Sequence, residues 1–372
     1  MIPRVLLNRG AWQAWAARPE PGLIGLWADT LEVHALFEGP RLLSVAVEHG
    51  SYPALSPVRP VAAGFECAVR DLWGHRAEGG DARPLLDRGH WPVIHPMSAR
   101  PQPRTGQPPP PDVADVPDHH HVLLSGPIRP GLLEPAVVRV ETDGRTVVAA
   151  QAQLGWAHKG IALLMRSKSP RAAARLAARI QADSTVAHAV AFARAAEDAS
   201  GVAAPPRAAA LRMLMLEVEA LAVRCAGSGP VLDALRRASA AAWGHRMMMD
   251  CVAPGGVLAD LDDARIAALR TALGTVPVDT RPVLDALDAL PPGPVSVPLP
   301  AVSGEGLGHA PTPRGTVWHW VRLDNGTVAN ACACDPAHHA WQAWASGLAG
   351  SPLPASGFPA GGPDLLVSGA DL

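Results

Sequence analysis

Two cysteines near the end of the chain, Cys332 and Cys334, have the spacing best suited to metal chemistry. On an extended strand the two-residue period puts both side chains on one face, where two sulfurs can meet a soft metal ion. The simpler outcome for the pair is two buried structural thiols. The run His119-His120-His121 offers three imidazoles. Consecutive side chains of an extended segment point to alternating faces, so the run alone makes no coordination shell and reads as a solvated loop edge. Ser184 and His188 stand four apart on a predicted helix and share a face. A histidine among apolar residues there reads first as a satisfied core group.

The stretch that must position these groups runs from Gly155 to Glu219. Pro205-Pro206 opens one helix, because proline lacks the N–H that a first helical turn leaves unpaired. Leu211, Leu214, Met215, Val218, Leu221, Ala222 and Cys225 then recur at three- and four-residue steps, which predicts a packed helix. A second buried helix is predicted from Asp183, as its N-cap, to Glu197. Earlier, Leu31 to Phe37 and Leu42 to Val47 alternate in strand fashion around Glu38-Gly39-Pro40, a hairpin that follows the apolar run Leu23 to Trp27. Gly64 to Gly74 reads as a short helix stopped by glycine. Val137 to Val148, turning at Asp143-Gly144, and Val317 to Val328, turning at Asn325-Gly326, are further hairpins. Shorter helical patterns lie around Ala264 to Leu273 and Val283 to Leu290, and Met247-Met248-Met249 reads as flexible core filling.

Prolines crowd residues 99–118, which favours an extended backbone without a core of its own. The expected organisation is α+β: a small N-terminal α/β sheet domain over 1–98, a Pro-rich linker over 99–118, and a mainly helical domain with flanking β-hairpins over 119–372. A formal net charge of −2 over 372 residues gives no electrostatic reason for a nucleic-acid or anionic membrane partner. With 48% hydrophobic residues there is still no apolar run as long as the roughly 18 residues of a spanning helix, and no basic segment leads into an apolar leader. The sequence therefore reads as soluble and unexported. Its 5 cysteines are odd in number and scattered, which argues for a reduced setting rather than a disulfide framework. Of the aromatics, 11 are Trp against 1 Tyr and 4 Phe, a balance suited to covering flat partner surfaces, though Trp is also ordinary core filling.

Gly64 to Gly74 with Asp71-Leu72-Trp73-Gly74, then Gly79-Gly80-Asp81, Arg83-Pro84-Leu85-Leu86 and Trp91, resembles the C-terminal signature of the C-type subunit of NADH-quinone oxidoreductase. From Gly126-Pro127 the order is hairpin, Gly155-Trp156-Ala157-His158-Lys159-Gly160, Arg179, buried helix, Pro205-Pro206-Arg207, helix. That order resembles the D-type subunit of NADH-quinone oxidoreductase and the large subunit of group 4 nickel–iron hydrogenases such as formate hydrogenlyase, over residues 126–219. Similarity to that family continues in the tail through Gly304-Glu305-Gly306-Leu307-Gly308, Pro313-Arg314-Gly315, a Trp341 to Trp344 helix and Ser368-Gly369-Ala370-Asp371-Leu372. A C-type piece fused ahead of a D-type piece is also the layout of the formate hydrogenlyase large subunit.

The resemblance implies a nickel–iron centre held by two Cys-x-x-Cys pairs, the first following Arg179. Gln181 and Ser184 stand at that spacing without sulfur. It also implies a quinone site with a histidine in the Gly-Pro loop and a tyrosine at the start of the buried helix. The loop Gly126 to Leu133 has no histidine, and Ala182 stands at the tyrosine position. His158 and His188 match family positions, and Lys159 and Arg179 are candidates for an ionisable chain toward a membrane arm. Solvated or ion-paired structural roles are the plainer reading of both, and of Arg207. The family's middle section is short here, about 35 residues between Gly256 and Leu290.

The leading expectation is a non-metal large-subunit-like component of a membrane-associated oxidoreductase complex. It would couple an iron–sulfur small subunit to membrane-arm subunits from the cytoplasmic face, with no cofactor of its own, an iron–sulfur cluster in a partner and quinone possible. A second is an active quinone- or hydrogen-linked component with a relocated site at Cys332 and Cys334 with His338 and His339. A third is a free-standing binding protein derived from the same family.

Overall fold

The structure, a computed structural model, describes residues 3–105, 120–128, 134–354 and 366–369. Helices and strands mix in several small sheets, the α+β class that the sequence patterns predict. The chain forms two compact units. One is Gly160–Asp335; the other combines the residues up to Lys159 with those from Pro336 onward.

In the unit that opens the chain, β1 (Arg4–Leu7), β2 (Leu23–Ala28), β3 (Glu32–Phe37) and β4 (Arg41–Ala46) form a sheet of order β1-β4-β3-β2. β1 runs parallel to β4, and β3 and β4 are the expected hairpin, paired from Phe37↔Arg41. α1 (Arg9–Ala16) is capped by Asn8, whose Oδ1 accepts from the Ala11 amide at 2.8 Å. It buries Trp12, whose Nε1 donates to the Pro53 carbonyl at 2.9 Å. Ser51–Pro53 (β5) leads to α2 (Ala63–Trp73), which ends at Gly74 with φ 80°, a left-handed stop. The buried Asp71 of α2 accepts from the amides of Leu85 and Leu86, both at 2.8 Å, and so folds the Arg83 to Leu86 segment onto the helix.

Arg76–Glu78 (β6) pairs with β5, and Val93–Ile94 (β7) with Gln102–Pro103 (β8). The first residues of the Pro-rich stretch thus sit in a small ladder, while its run from Gly106 to Asp118 lies outside the described residues. β9 (His121–Ser125), β10 (Val137–Thr142) and β11 (Val147–Gln153) form an antiparallel sheet of order β11-β10-β9. Val138, Val140 and Val147 share its core with Trp341 of the helix Ala337–Gly347, so the Trp-containing tail helix has the place its apolar side requires.

The second unit begins with two short helices, α3 (Ile161–Met165) and α4 (Pro170–Ala177). α5 (Thr185–Ser200) follows, closed by Gly201 at φ 66°, then α6 (Pro206–Arg224) with Pro206 in its first turn. The expected start at Asp183 is thus corrected to Thr185, with Ser184 in the cap position and no side-chain cap bond from it. α7 (Gly229–Trp243), which the sequence patterns do not predict, packs against α8 (Asp263–Gly274). Val252–Ala253 (β12) and Gly256–Val257 (β13) form a tight hairpin, and α9 (Arg281–Asp288) completes the helices of this unit. β14 (Gly304–Thr312), β15 (Gly315–Asp324) and β16 (Thr327–Cys334) form an antiparallel sheet in sequence order.

α5 is the organiser of this unit, with buried residues on every side from Thr185 to Ala199. β14 lies along it because small residues recur at matching intervals. Four residues of helix rise about 6 Å, and two residues of strand about 6.6 Å. A Cβ added at Gly304, Gly306 or Gly308 would lie 2.3, 2.1 and 2.2 Å from the carbonyl oxygens of Ala199, Ala195 and Ala191. Glycine every second residue on the strand and alanine every fourth on the helix therefore bring the two backbones together. At the far end of α5 the buried Glu197 takes Arg212 of α6 in two bonds, 3.0 and 2.5 Å, and Arg212 also donates to the carbonyls of Ala253 and Gly256 at 2.8 and 2.9 Å. That buried ion pair pins the β12–β13 hairpin to the helices.

Candidate functional site

The segment from Arg179 into α5 is where the family resemblance puts the chemistry, and the structure places each residue of it. Arg179 is partly exposed and holds Asp250 through two bonds of 2.7 and 2.9 Å, which keep the Asp250 carboxyl below its ordinary range. Gln181 is 1% exposed; its Nε2 donates to Asp183 Oδ1 at 2.7 Å and to Ser184 Oγ at 3.4 Å. Asp183 is also ion-paired with Arg314, at the turn between β14 and β15. Ala182 is exposed. A primary amide and a hydroxyl thus stand where the resemblance implies the first thiolate pair, and the amide nitrogen is given to the hydroxyl and to a carboxylate. Neither is a soft ligand.

The missing helix cap comes from α6. Glu219 accepts from the amides of Val186 at 2.7 Å and Ala187 at 3.0 Å, two of the donors that the first turn of α5 leaves free. Burial pushes this carboxyl up to about 8, Asp183 adding to the rise against the pull of the two backbone bonds. Beside it is a pocket of about 80 Å³ lined by Asp183, Glu219, Arg236, Ser239, Arg246 and Met248, among others.

One turn further along α5, His188 is fully buried, with Nδ1 at 3.0 Å from His319 Nε2 of β15 and Nε2 at 3.2 Å from Asp335 Oδ2. Burial, with His188 adding to it, holds the His319 imidazole well below its ordinary range, so His319 is neutral. The expected core histidine is therefore the middle of a buried row of two imidazoles and a carboxyl, His319, His188 and Asp335. His319 and Asp335 were not singled out from the sequence, since nothing local marks a partner 131 residues away.

The other candidates are dispersed. His158 packs its ring on Trp91 at 5.5 Å, and Lys159 lies 3.9 Å from Glu134, both in the first unit. Arg207 grips Asp260 through Nε at 2.9 Å to both oxygens and reaches the Pro291 carbonyl, a structural role. Of the histidine run, His119 lies outside the described residues, and His120 bonds Glu141 at 2.6 Å. Residues 129–133 of the Gly-Pro loop are likewise outside them. Cys332 and Cys334 share a strand face, opposite Trp320 and Trp318. The hydrogen bond with Cys334 and burial hold the Cys332 thiol well above its ordinary range, which keeps it protonated. His338 stacks on Phe65 at 3.8 Å, and His339 Nε2 donates to the Ile24 carbonyl at 2.9 Å.

Among the described residues, the grouping of three ligand-type side chains close enough for a metal is Asp29, Glu32 and His34. Its atoms already serve each other and the sheet. Asp29 Oδ1 accepts from the Leu31 and Glu32 amides, His34 bonds Asp29 and Ser44, and Glu32 is paired with Arg4. A guanidinium on one carboxylate opposes a bound cation there.

No protein-family model matches the chain. Hydrogenase-4 component G of Escherichia coli K12 is 29% identical over 187 residues, 48% of this chain and 34% of that protein. Formate hydrogenlyase subunit 5 of the same organism is 29% identical over 46% of this chain and 32% of its own length. The carbon monoxide-induced hydrogenase of Rhodospirillum rubrum is 28% identical over 38% and 44%. The chain thus spans about a third of the length of the first two relatives. In fold, it is similar to a chain of the archaeal membrane-bound sulfane sulfur reductase, with TM-score 0.56 at 15% identity over 64% of this chain and 95% of that one. It is also similar to the nickel–iron–selenium hydrogenase of Desulfovibrio vulgaris Hildenborough, with TM-score 0.56 at 11% identity over 68% of this chain and 100% of that one. The chain is thus similar in sequence to three hydrogenase components and in fold to these neighbours, which is consistent with the group 4 hydrogenase large-subunit family.

Proposed function

We propose that the chain is a large-subunit-like scaffold in a multisubunit respiratory membrane complex of the group 4 hydrogenase kind, without a redox centre of its own. It sits peripherally on the cytoplasmic face and holds an iron–sulfur small subunit against membrane-arm subunits. Electron transfer, and any quinone chemistry, then belong to the partners. The observation that carries this reading is the segment Arg179 to Ser184. It has the arginine and the buried helix that the resemblance implies, while Gln181 bonds Asp183 and Ser184, Arg314 pairs with Asp183, and Glu219 caps the helix that follows. Peripheral attachment accords with the helices: among the described residues none is long and apolar enough to cross a membrane.

The test is extraction of native membranes in mild detergent, capture of this chain and identification of what accompanies it by mass spectrometry. The scaffold reading expects an iron–sulfur small subunit and membrane subunits in the same particle. Recovery of the chain alone, in the soluble fraction, would overturn it.

A further inference from the structure

The amino end of α5 is capped by a residue 33 positions away in sequence. Ser184 makes no side-chain cap bond, and both oxygens of Glu219 are given to the Val186 and Ala187 amides. We propose that Glu219 makes the segment 179–184 and the first turn of α5 a pH-responsive element, closed while the carboxyl is protonated and opening as it ionises. This goes beyond the scaffold role and does not depend on it.

Geometry supplies both the latch and the route by which water reaches it. The pocket of about 80 Å³ is lined by both Glu219 and the exposed Ala182, so modest opening of the loop hydrates the carboxyl. The charged groups that face it are Asp183 from the loop before α5, Arg236 from α7 and Arg246 from the segment after α7. Asp183 is itself held by Arg314 and Gln181. From α6, Glu219 is the acidic or basic side chain lining the pocket.

The direction follows from proton linkage. In the closed arrangement the carboxyl sits at about 8, raised first by burial, against an ordinary 4.5 once hydrated. Between those values the closed state holds a proton that the open state releases. Opening therefore grows by about tenfold for each pH unit up to about 8 and then levels off.

The experiment is hydrogen exchange on the full chain from pH 6 to 9, with the intrinsic pH dependence of exchange divided out. Protection of the Val186 and Ala187 amides is expected to fall roughly tenfold per unit between pH 6 and 8 and to flatten above, while interior amides of α6 do not follow. Glu219→Gln removes the slope. Asp183→Asn, which takes away the neighbouring negative charge, moves the point of flattening to lower pH, and decides the matter if the glutamine variant does not fold. Protection that is independent of pH in the native chain, a slope that persists in Glu219→Gln, or an unmoved flattening point in Asp183→Asn overturns the proposal.

Discussion

Gly306 of β14 runs so close to Ala195 of α5 that a Cβ on the glycine would lie 2.1 Å from the Ala195 carbonyl oxygen. The contact is backbone against backbone, so no side chain can swing aside. Gly306→Ala must push the strand off the helix and is expected to destabilise the unit by about 3 kcal/mol. Urea unfolding checks this, and an effect below about 0.5 kcal/mol would show that the strand tolerates displacement.

Glu197 and Arg212 form the buried ion pair that ties α5, α6 and the β12–β13 hairpin. Removing one partner leaves a charge without compensation in the interior. Glu197→Gln and Arg212→Met are each expected to cost about 3–5 kcal/mol. The double variant is expected to cost much less than their sum, which a double-mutant cycle measures.

His319 gives the second unit an acid-sensitive term. Its imidazole is held well below the ordinary 6.5 in the fold, so below that pH the unfolded chain binds a proton that the native chain refuses. The stabilisation is complete above about 6.5 and is lost as pH falls. His319→Gln is expected to flatten the slope of stability against pH between 6.5 and 5, measured by denaturant unfolding at fixed pH values.

The Cys332 thiol is held well above its ordinary range, its neighbour Cys334 is buried, and a thiol reacts through its thiolate. Native protein at pH 8 is expected to alkylate at these positions at least tenfold more slowly than denatured protein. Cys332→Ser with Cys334→Ser is expected to leave metal content and partner binding unchanged. Rapid native alkylation of Cys332 would revive a reactive or metal-binding role for the pair.

The parts of the fold legible in the sequence were those with local causes. Proline at Pro206, the apolar stripe through Leu211, Leu214 and Val218, and the turn at Asn325-Gly326 each state their element within a few residues. The start of α5 was misplaced at Asp183 because a carboxylate in the right spot is an ordinary cap, whereas the acceptor is Glu219 on the next helix. α7 was missed because its apolar face is mostly alanine, a weak periodic signal from Ala234 to Ala242. The site fared similarly. Gln181 and Ser184 are marked by their spacing after Arg179 and His188 by its place four residues after Ser184, but Arg314, which pairs with Asp183, and His319 and Asp335, which flank His188, come from distant strands or their ends. A usable signal was present in Gly304-Glu305-Gly306-Leu307-Gly308. Glycine at every second position of a strand asks for a close neighbour, and the alanines at 191, 195 and 199 are the matching set.

Whether this large-subunit-like fold has a metal centre of its own is decided by counting metal. Nickel and iron per copy of this chain can be measured by elemental mass spectrometry in the detergent-extracted complex and again after this chain is separated from its partners. No nickel is expected with the separated chain, and iron only in fractions that contain an iron–sulfur protein. One nickel per copy, retained by the separated chain, would contradict that expectation.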